Sequence, residues 1–245
     1  MYDYNIKILH LYPDLLNLYG DKGNIECLRK RLEWRNIGVE VVGFTAENAD
    51  IDFLNTDIIF IGGGLEREED VVLKRLLEKK EQLKAFVEDG GSVVAVCGGY
   101  QMLGKYRERN GQEQKCLDIL DIYTKDQADN KRMFGDVVVE VDGLEQKVVG
   151  FENHSGKTNI GNHTPLGKVI KGYGNDGESG SEGVVYKNTI GTYLYGPLFP
   201  KNPELCDRIL EGALKRKYPE FKELEPIDDG LETLANQYIV ERKMS

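Results

Sequence analysis

Two short apolar runs that end on glycine constrain this chain more than any other feature. Asp57-Ile58-Ile59-Phe60-Ile61 runs into Gly62-Gly63-Gly64, and Ser92-Val93-Val94-Ala95-Val96 runs into Cys97-Gly98-Gly99. Neither run alternates apolar with polar residues. Each therefore reads as a strand buried on both faces, as in a parallel sheet covered by helices. The neighbouring segments fit that layout. Residues 6–11 and 39–44 read as two further strands. Between them, Asp21-Lys22-Gly23-Asn24 is a turn into a helix with Ile25, Leu28 and Leu32 on one face. One charged helix is expected over 68–88, with Val72, Leu76, Leu83 and Phe86 inward and Gly90-Gly91 as its stop. The pattern predicts an α/β fold whose mostly parallel central sheet is flanked by helices.

The second half adds strands of a different kind. Residues 135–142 alternate, and 148–151, 183–186 and 190–195 are short strand candidates. The stretch 172–183 carries five glycines among polar residues and reads as a mobile surface loop. A helix is expected over 204–215. In the tail, Leu231, Leu234, Tyr238 and Ile239 recur at helical spacing and are expected to pack on the parent domain or, as the alternative, to dock a partner. With 245 residues and no repeat or linker, residues 1–245 are expected to form a single domain.

Composition narrows the function. Lysine and arginine total 32 against 42 aspartates and glutamates, a net charge of −10, which disfavours nucleic-acid partners. No apolar run approaches the ~18 residues of a membrane span. The first residues, Met1-Tyr2-Asp3-Tyr4-Asn5, lack the basic and apolar regions of a signal peptide, so a cytoplasmic location is expected. The four cysteines, Cys27, Cys97, Cys116 and Cys206, are widely spaced and never paired as Cys-x-x-Cys. Neither disulfides nor a metal site are expected, and no cofactor is implied. The triple glycine lacks the Gly-Lys-Ser/Thr of a nucleotide phosphate loop.

Cys97 stands apart from the other three. A strand runs into it, glycines follow, and Tyr100-Gln101-Met102-Leu103 continues as a short helical pattern. That is the outline of a nucleophile elbow, a sharp turn that lifts a side chain above the sheet edge. A helix behind the thiol favours the thiolate, and the Gly98 N–H is placed to donate to an oxyanion. The same outline also describes a structural cysteine in a tight strand–helix turn. Gly62-Gly63-Gly64, at the end of the adjacent strand, would face the same crevice, where the N–H of the Gly63 region can complete an oxyanion hole.

Taken together, these residues resemble the glutaminase subunits of bacterial lipid II isoglutaminyl synthases, class I glutamine amidotransferases of the cobyric acid synthase type. The resemblance runs over nearly the whole chain. It rests on Leu16-Asn17-Leu18-Tyr19 with Asp21, Gly23 and Asn24, on Ile61 to Gly64, and on Cys97-Gly98-Gly99-Tyr100-Gln101. It continues through Lys131-Arg132, Gly150-Phe151-Glu152-Asn153-His154, Gly172-Tyr173-Gly174-Asn175 and Gly191-Thr192-Tyr193-Leu194 with Gly196-Pro197. The resemblance implies that Cys97 attacks the side-chain amide of L-glutamine and forms a γ-glutamyl thioester that water hydrolyses. It implies that Arg132 binds the glutamine carboxylate, with Gln101 and His154 also at the substrate. The ammonia would pass to a Mur-ligase-like, ATP-dependent partner in a heterodimer. That partner would amidate the D-glutamate of lipid II to D-isoglutamine. Amidation of a corrinoid precursor shares the cysteine motif but calls for an ATP-dependent domain that this length disfavours.

One position departs from the family. Its general base is a histidine within Thr-Tyr-Leu-His-Gly-Pro, and here Tyr195 holds that place between intact flanks. A tyrosine with an ordinary pKa near 10 is a poor proton acceptor at neutral pH. Loss of the base is expected to cost about 10²–10⁴-fold in rate. Of the remaining histidines, His10 lies in the first strand and reads as packed, and His163 lies in a polar loop. His154 is the best substitute base. An impaired glutaminase, a catalytically silent scaffold subunit and a laboratory substitution all fit the residue.

Overall fold

The structure, a computed structural model, describes residues 2–18, 20–45, 51–127 and 131–244. Tyr19, part of the first motif above, lies outside the described residues. In chain order the first elements are β1 (Asn5–Leu11), α1 (Lys22–Trp34), β2 (Gly38–Phe44), β3 (Ile58–Ile61), α2 (Glu66–Leu77), α3 (Lys80–Glu88), β4 (Ser92–Val96) and α4 (Gly98–Met102). Short strands follow: β5 (Tyr106–Arg109), β6 (Gln112–Lys115), β7 (Tyr123–Lys125), β8 (Met133–Glu140), β9 (Val148–His154), β10 (Lys157–Asn159), β11 (Gly167–Lys171), β12 (Ser181–Glu182), β13 (Val184–Tyr186) and β14 (Thr189–Thr192). A 3-10 turn at Phe199–Lys201 leads to α5 (Pro203–Lys217) and α6 (Gly230–Met244).

The main sheet has the order β13-β14-β4-β3-β1-β2. All its pairings are parallel except β13 with β14. The apolar strands at its centre explain how it is held. Alternate side chains go to opposite faces. Ile6, Ile8, Ile58, Phe60, Val94 and Val96 join a core with Leu28 and Leu32 of α1 and Ile209 and Leu210 of α5. Leu9, Leu11, Ile59, Ile61, Val93 and Ala95 join a second core with Val72 and Leu76 of α2 and Leu83 and Phe86 of α3. The result is a three-layer α/β/α fold. The expectation of a mostly parallel sheet flanked by helices, with added strands in the C-terminal half, is borne out. Two four-stranded sheets, β10-β7-β5-β6 and β12-β11-β8-β9, make up that addition.

Four local expectations are corrected. The helix over 68–88 is two helices, because Val72, Leu73 and Leu76 form one buried stripe and Leu83, Phe86 and Val87 another. The strand over 190–195 stops at Thr192. The buried Glu182 carboxylate takes both the Thr192 hydroxyl (2.5 Å) and the Tyr193 N–H (2.8 Å), and Tyr195 pairs with Phe151 instead. The glycine-rich 172–183 stretch is anchored. Tyr173 and Gly174 donate to the buried Glu152 carboxylate at 2.7 and 3.0 Å, and buried Asn175 both donates to the Gly183 carbonyl and accepts its N–H. Finally, Leu231, Leu234 and Tyr238 face outward from α6. That helix is held by buried Asn236, which donates to the carbonyls of Lys147 and Lys201.

Candidate active site

Cys97 follows β4 with φ 53° and ψ −112°, a left-handed conformation that a side chain adopts only under tertiary constraint. The constraint is visible on both sides. The Cys97 N–H donates to the Thr192 carbonyl (2.9 Å) as the last rung of the β4–β14 ladder, and the Cys97 carbonyl accepts from Gln101 (3.1 Å) as the first rung of α4. The chain must turn from strand to helix within one residue. A Cβ at Gly98 would lie 1.7 Å from Glu69 Oε1, so a larger residue there would displace the Glu69 carboxylate.

The turn opens onto a pocket of about 220 Å³ at the carboxyl ends of β3 and β4. Its volume suits one amino acid. Cys97, Gly98, Gln101, Arg132 and His154 all line it, although they come from separate parts of the chain. Arg132 stands at the entry to β8, where its Nε donates to Asn153 Oδ1 (2.6 Å) and its Nη2 to the Asn153 carbonyl (2.9 Å). Gln101 donates to the Tyr193 hydroxyl (3.0 Å), which in turn contacts Thr158 Oγ1 (2.6 Å). The His154 ring lies flat on Tyr193 at 3.6 Å. Its Nδ1 is 2.9 Å from the Gly156 carbonyl, and its Nε2 is 3.5 Å from the buried Glu152 carboxylate. Both ring nitrogens thus face internal groups.

Gly63 and Tyr195 do not line the pocket. Gly63 is nevertheless adjacent: a Cβ there would lie 3.1 Å from Cys97 Cβ and 3.8 Å from its sulfur. Its N–H donates to Asp21 Oδ2 (3.2 Å), so an oxyanion would have to compete with a carboxylate for it. The Gly98 N–H lies against the Cys97 sulfur. Tyr195 is buried in the core cluster against which Cys97 packs, its ring tilted on Phe151 at 5.9 Å.

The electrostatics run against a free thiolate. Burial pushes the Cys97 thiol up to about 12, and the Glu69 charge pushes the same way. The Gly98 N–H and Arg132 pull more weakly in the other direction. The helix behind the thiol, a turn and a half long, does not offset this. Sequence reasoning missed Glu69. It sits inside an acidic run that looks like a solvated helix face. In the structure it is buried beside Gly98, accepts the Gly64 N–H (3.3 Å), and is paired with Arg107 (2.8 Å) and Arg109. Those arginines share one face of β5. The hairpin that carries them was signalled by Asn110-Gly111, both at positive φ, but its charged flanks hid the strands. Asp21, in the motif that precedes α1, is buried beside Gly63. Its carboxyl is raised by burial to about 7.

A cysteine in a strained strand–helix turn, at the carboxyl end of a parallel sheet and over an amino-acid-sized pocket, is the arrangement of class I glutamine amidotransferases. The fold agrees with solved members of that class. A structure described as a glutamine amidotransferase superposes with TM-score 0.57 at 16% identity, covering 84% of this chain and 98% of that one. The Trypanosoma brucei CTPS glutaminase domain with bound acivicin gives 0.55 at 12% identity over 90% and 96%. The sequence then fixes the family: the CobB/CobQ-like glutamine amidotransferase domain matches residues 7–203, and the chain belongs to that family. Among its relatives are two proteins named lipid II isoglutaminyl synthase (glutamine-hydrolyzing) subunit GatD. The Staphylococcus aureus protein is 45% identical over 98% of this chain and 96% of its own length. The Streptococcus pneumoniae protein is 37% identical over 97% and 92%. A probable cobyric acid synthase from Methanocaldococcus jannaschii is 34% identical over 80% of this chain but only 41% of its own length.

Proposed function

We propose that this chain is the glutaminase subunit of a lipid II isoglutaminyl synthase, working in the cytoplasm as a heterodimer with a Mur-ligase-like, ATP-dependent partner. The observation that carries the reading is the left-handed Cys97 opening onto a pocket that also holds Arg132, a guanidinium with no carboxylate partner among the described residues. Arg132 would bind the α-carboxylate of L-glutamine and set the side-chain amide over the Cys97 sulfur. Sulfur attacks the amide carbon, and Gly98, with the Gly63 region, would stabilise the oxyanion. The C–N bond breaks, ammonia leaves with the thiol proton, and a γ-glutamyl thioester remains. Water then releases glutamate. The partner would use the ammonia to convert the D-glutamate of lipid II to D-isoglutamine.

The weak point in this chemistry is proton transfer. Tyr195, where the resemblance puts a histidine, lies in the apolar cluster rather than on the pocket wall, and burial raises the Cys97 thiol to about 12. This reading predicts slow turnover. Tyr195 also favours a second reading, a scaffold subunit of the same complex with no turnover. Acid quenching after incubation with L-glutamine, followed by peptide mass mapping, separates the two. The glutaminase reading predicts a γ-glutamyl group on the Cys97 peptide. The scaffold reading predicts no adduct and no ammonia, with or without the partner.

A further inference from the structure

The pocket beside Cys97 is lined by four carboxylates, those of Glu66, Glu69, Glu108 and Asp126, and by two arginines. An anionic group on a ligand has few places to go. Arg109 is committed to Glu69 and Asp70. Arg132 is different. Among the described residues, both of its hydrogen bonds go to Asn153, one to the side-chain oxygen at 2.6 Å and one to the backbone carbonyl at 2.9 Å. Two acceptors on one residue fix the plane of a guanidinium. Because both are neutral, they do so without cancelling its charge. Asn153 is itself held in β9, opposite Phe134 in the antiparallel ladder with β8.

We propose that Asn153 is a positioning residue that orients Arg132 toward the α-carboxylate of the bound amino acid, and thereby sets the requirement for a free α-carboxylate in the substrate. This deepens the glutamine-site reading and rests on it. An aspartate or glutamate at the same place would hold the guanidinium equally well but would neutralise it. A small apolar residue would leave the charge and lose the aim.

The test is the labelling of Cys97 by 6-diazo-5-oxo-L-norleucine, a glutamine analogue that carries the α-carboxylate, compared with iodoacetamide, which has none. Wild type, Asn153→Ala, Arg132→Ala and the double variant are compared. Asn153→Ala should raise the half-saturating concentration of the analogue by about tenfold. Its iodoacetamide rate should stay within about threefold of wild type, which a general loss of structure would not allow. Because Asn153 acts through Arg132, the double variant should be no weaker than Arg132→Ala alone. Unchanged half-saturation in Asn153→Ala would overturn the inference. So would a double variant weaker than Arg132→Ala by the full Asn153→Ala factor. Wild type that reacts with iodoacetamide at Cys97 but shows no saturable labelling by the analogue would remove the glutamine site, and the inference with it.

Discussion

Cys97 and its carboxylate neighbours set the chemistry at the scale of single residues. A non-glycine residue at φ 53° costs about 1–3 kcal/mol, and the ladder to Thr192 together with the first turn of α4 holds it there. Asp21 and Glu69 take the N–H groups of Gly63 and Gly64 on either side. Asp21 offers a direct check on this arrangement. Its folded pKa, raised by burial to about 7, lies above the usual aspartate value near 4. Between those values the folded state keeps a proton that the unfolded state has lost. Asp21 therefore costs stability as pH rises from about 4 to about 7, and the cost is complete above 7. Asp21→Asn removes it. Urea unfolding should show the variant gaining on wild type by about 2–4 kcal/mol between pH 4 and pH 8. A difference that does not change with pH would contradict the placement of Asp21. Pairings of this sort were hidden in the sequence, since Asp21 meets Gly63, and Glu69 meets Arg107, only after the chain has folded. The elbow itself was legible because strand, nucleophile and glycines are contiguous.

At the scale of elements, the helices that carry no pocket residues still decide where the pocket sits. Helix α1 follows directly from Asp21 and packs on α5 through a fully buried Arg31. Its guanidinium is bonded to both oxygens of Asp207 (2.6 Å each) and to Asp229 (2.5 and 2.8 Å), the latter just ahead of α6. Arg35 also pairs with Asp207 (2.6 Å), so removing Arg31 leaves Asp207 one cation but strips Asp229 of its guanidinium partner. The two aspartates are about a quarter exposed, which moderates the penalty. Arg31→Ala should lower unfolding free energy by about 2–4 kcal/mol in denaturant titration. A loss under about 0.5 kcal/mol would mean that the cluster is a surface feature of little weight. Helical periodicity found α1 and α5 in the sequence. It misjudged the faces of α6, whose anchor is the polar Asn236 rather than Leu231, Leu234 or Tyr238. An apolar pattern cannot reveal a helix held by an amide.

For the whole molecule, the parallel sheet brings the ends of β3 and β4 together. The β8–β9 sheet adds Arg132, Asn153 and His154 to the pocket wall, and the β5–β7 sheet adds Glu108, Arg109 and Thr124. A chain that frees ammonia needs a receiver close by. Co-expression with an ATP-dependent ligase subunit should give one co-eluting peak in size-exclusion chromatography, whereas separate elution at micromolar concentration would contradict the heterodimer. In the proposed mechanism Cys97 is the nucleophile and works without a histidine at position 195. Glutamine-dependent ammonia release, measured side by side for wild type, Cys97→Ala and Tyr195→His, tests this most directly. The expected outcome is no release from Cys97→Ala and a gain of about 10²-fold or more in Tyr195→His over a slow wild type. Release that survives in Cys97→Ala, or a wild-type rate already equal to that of Tyr195→His, would contradict it.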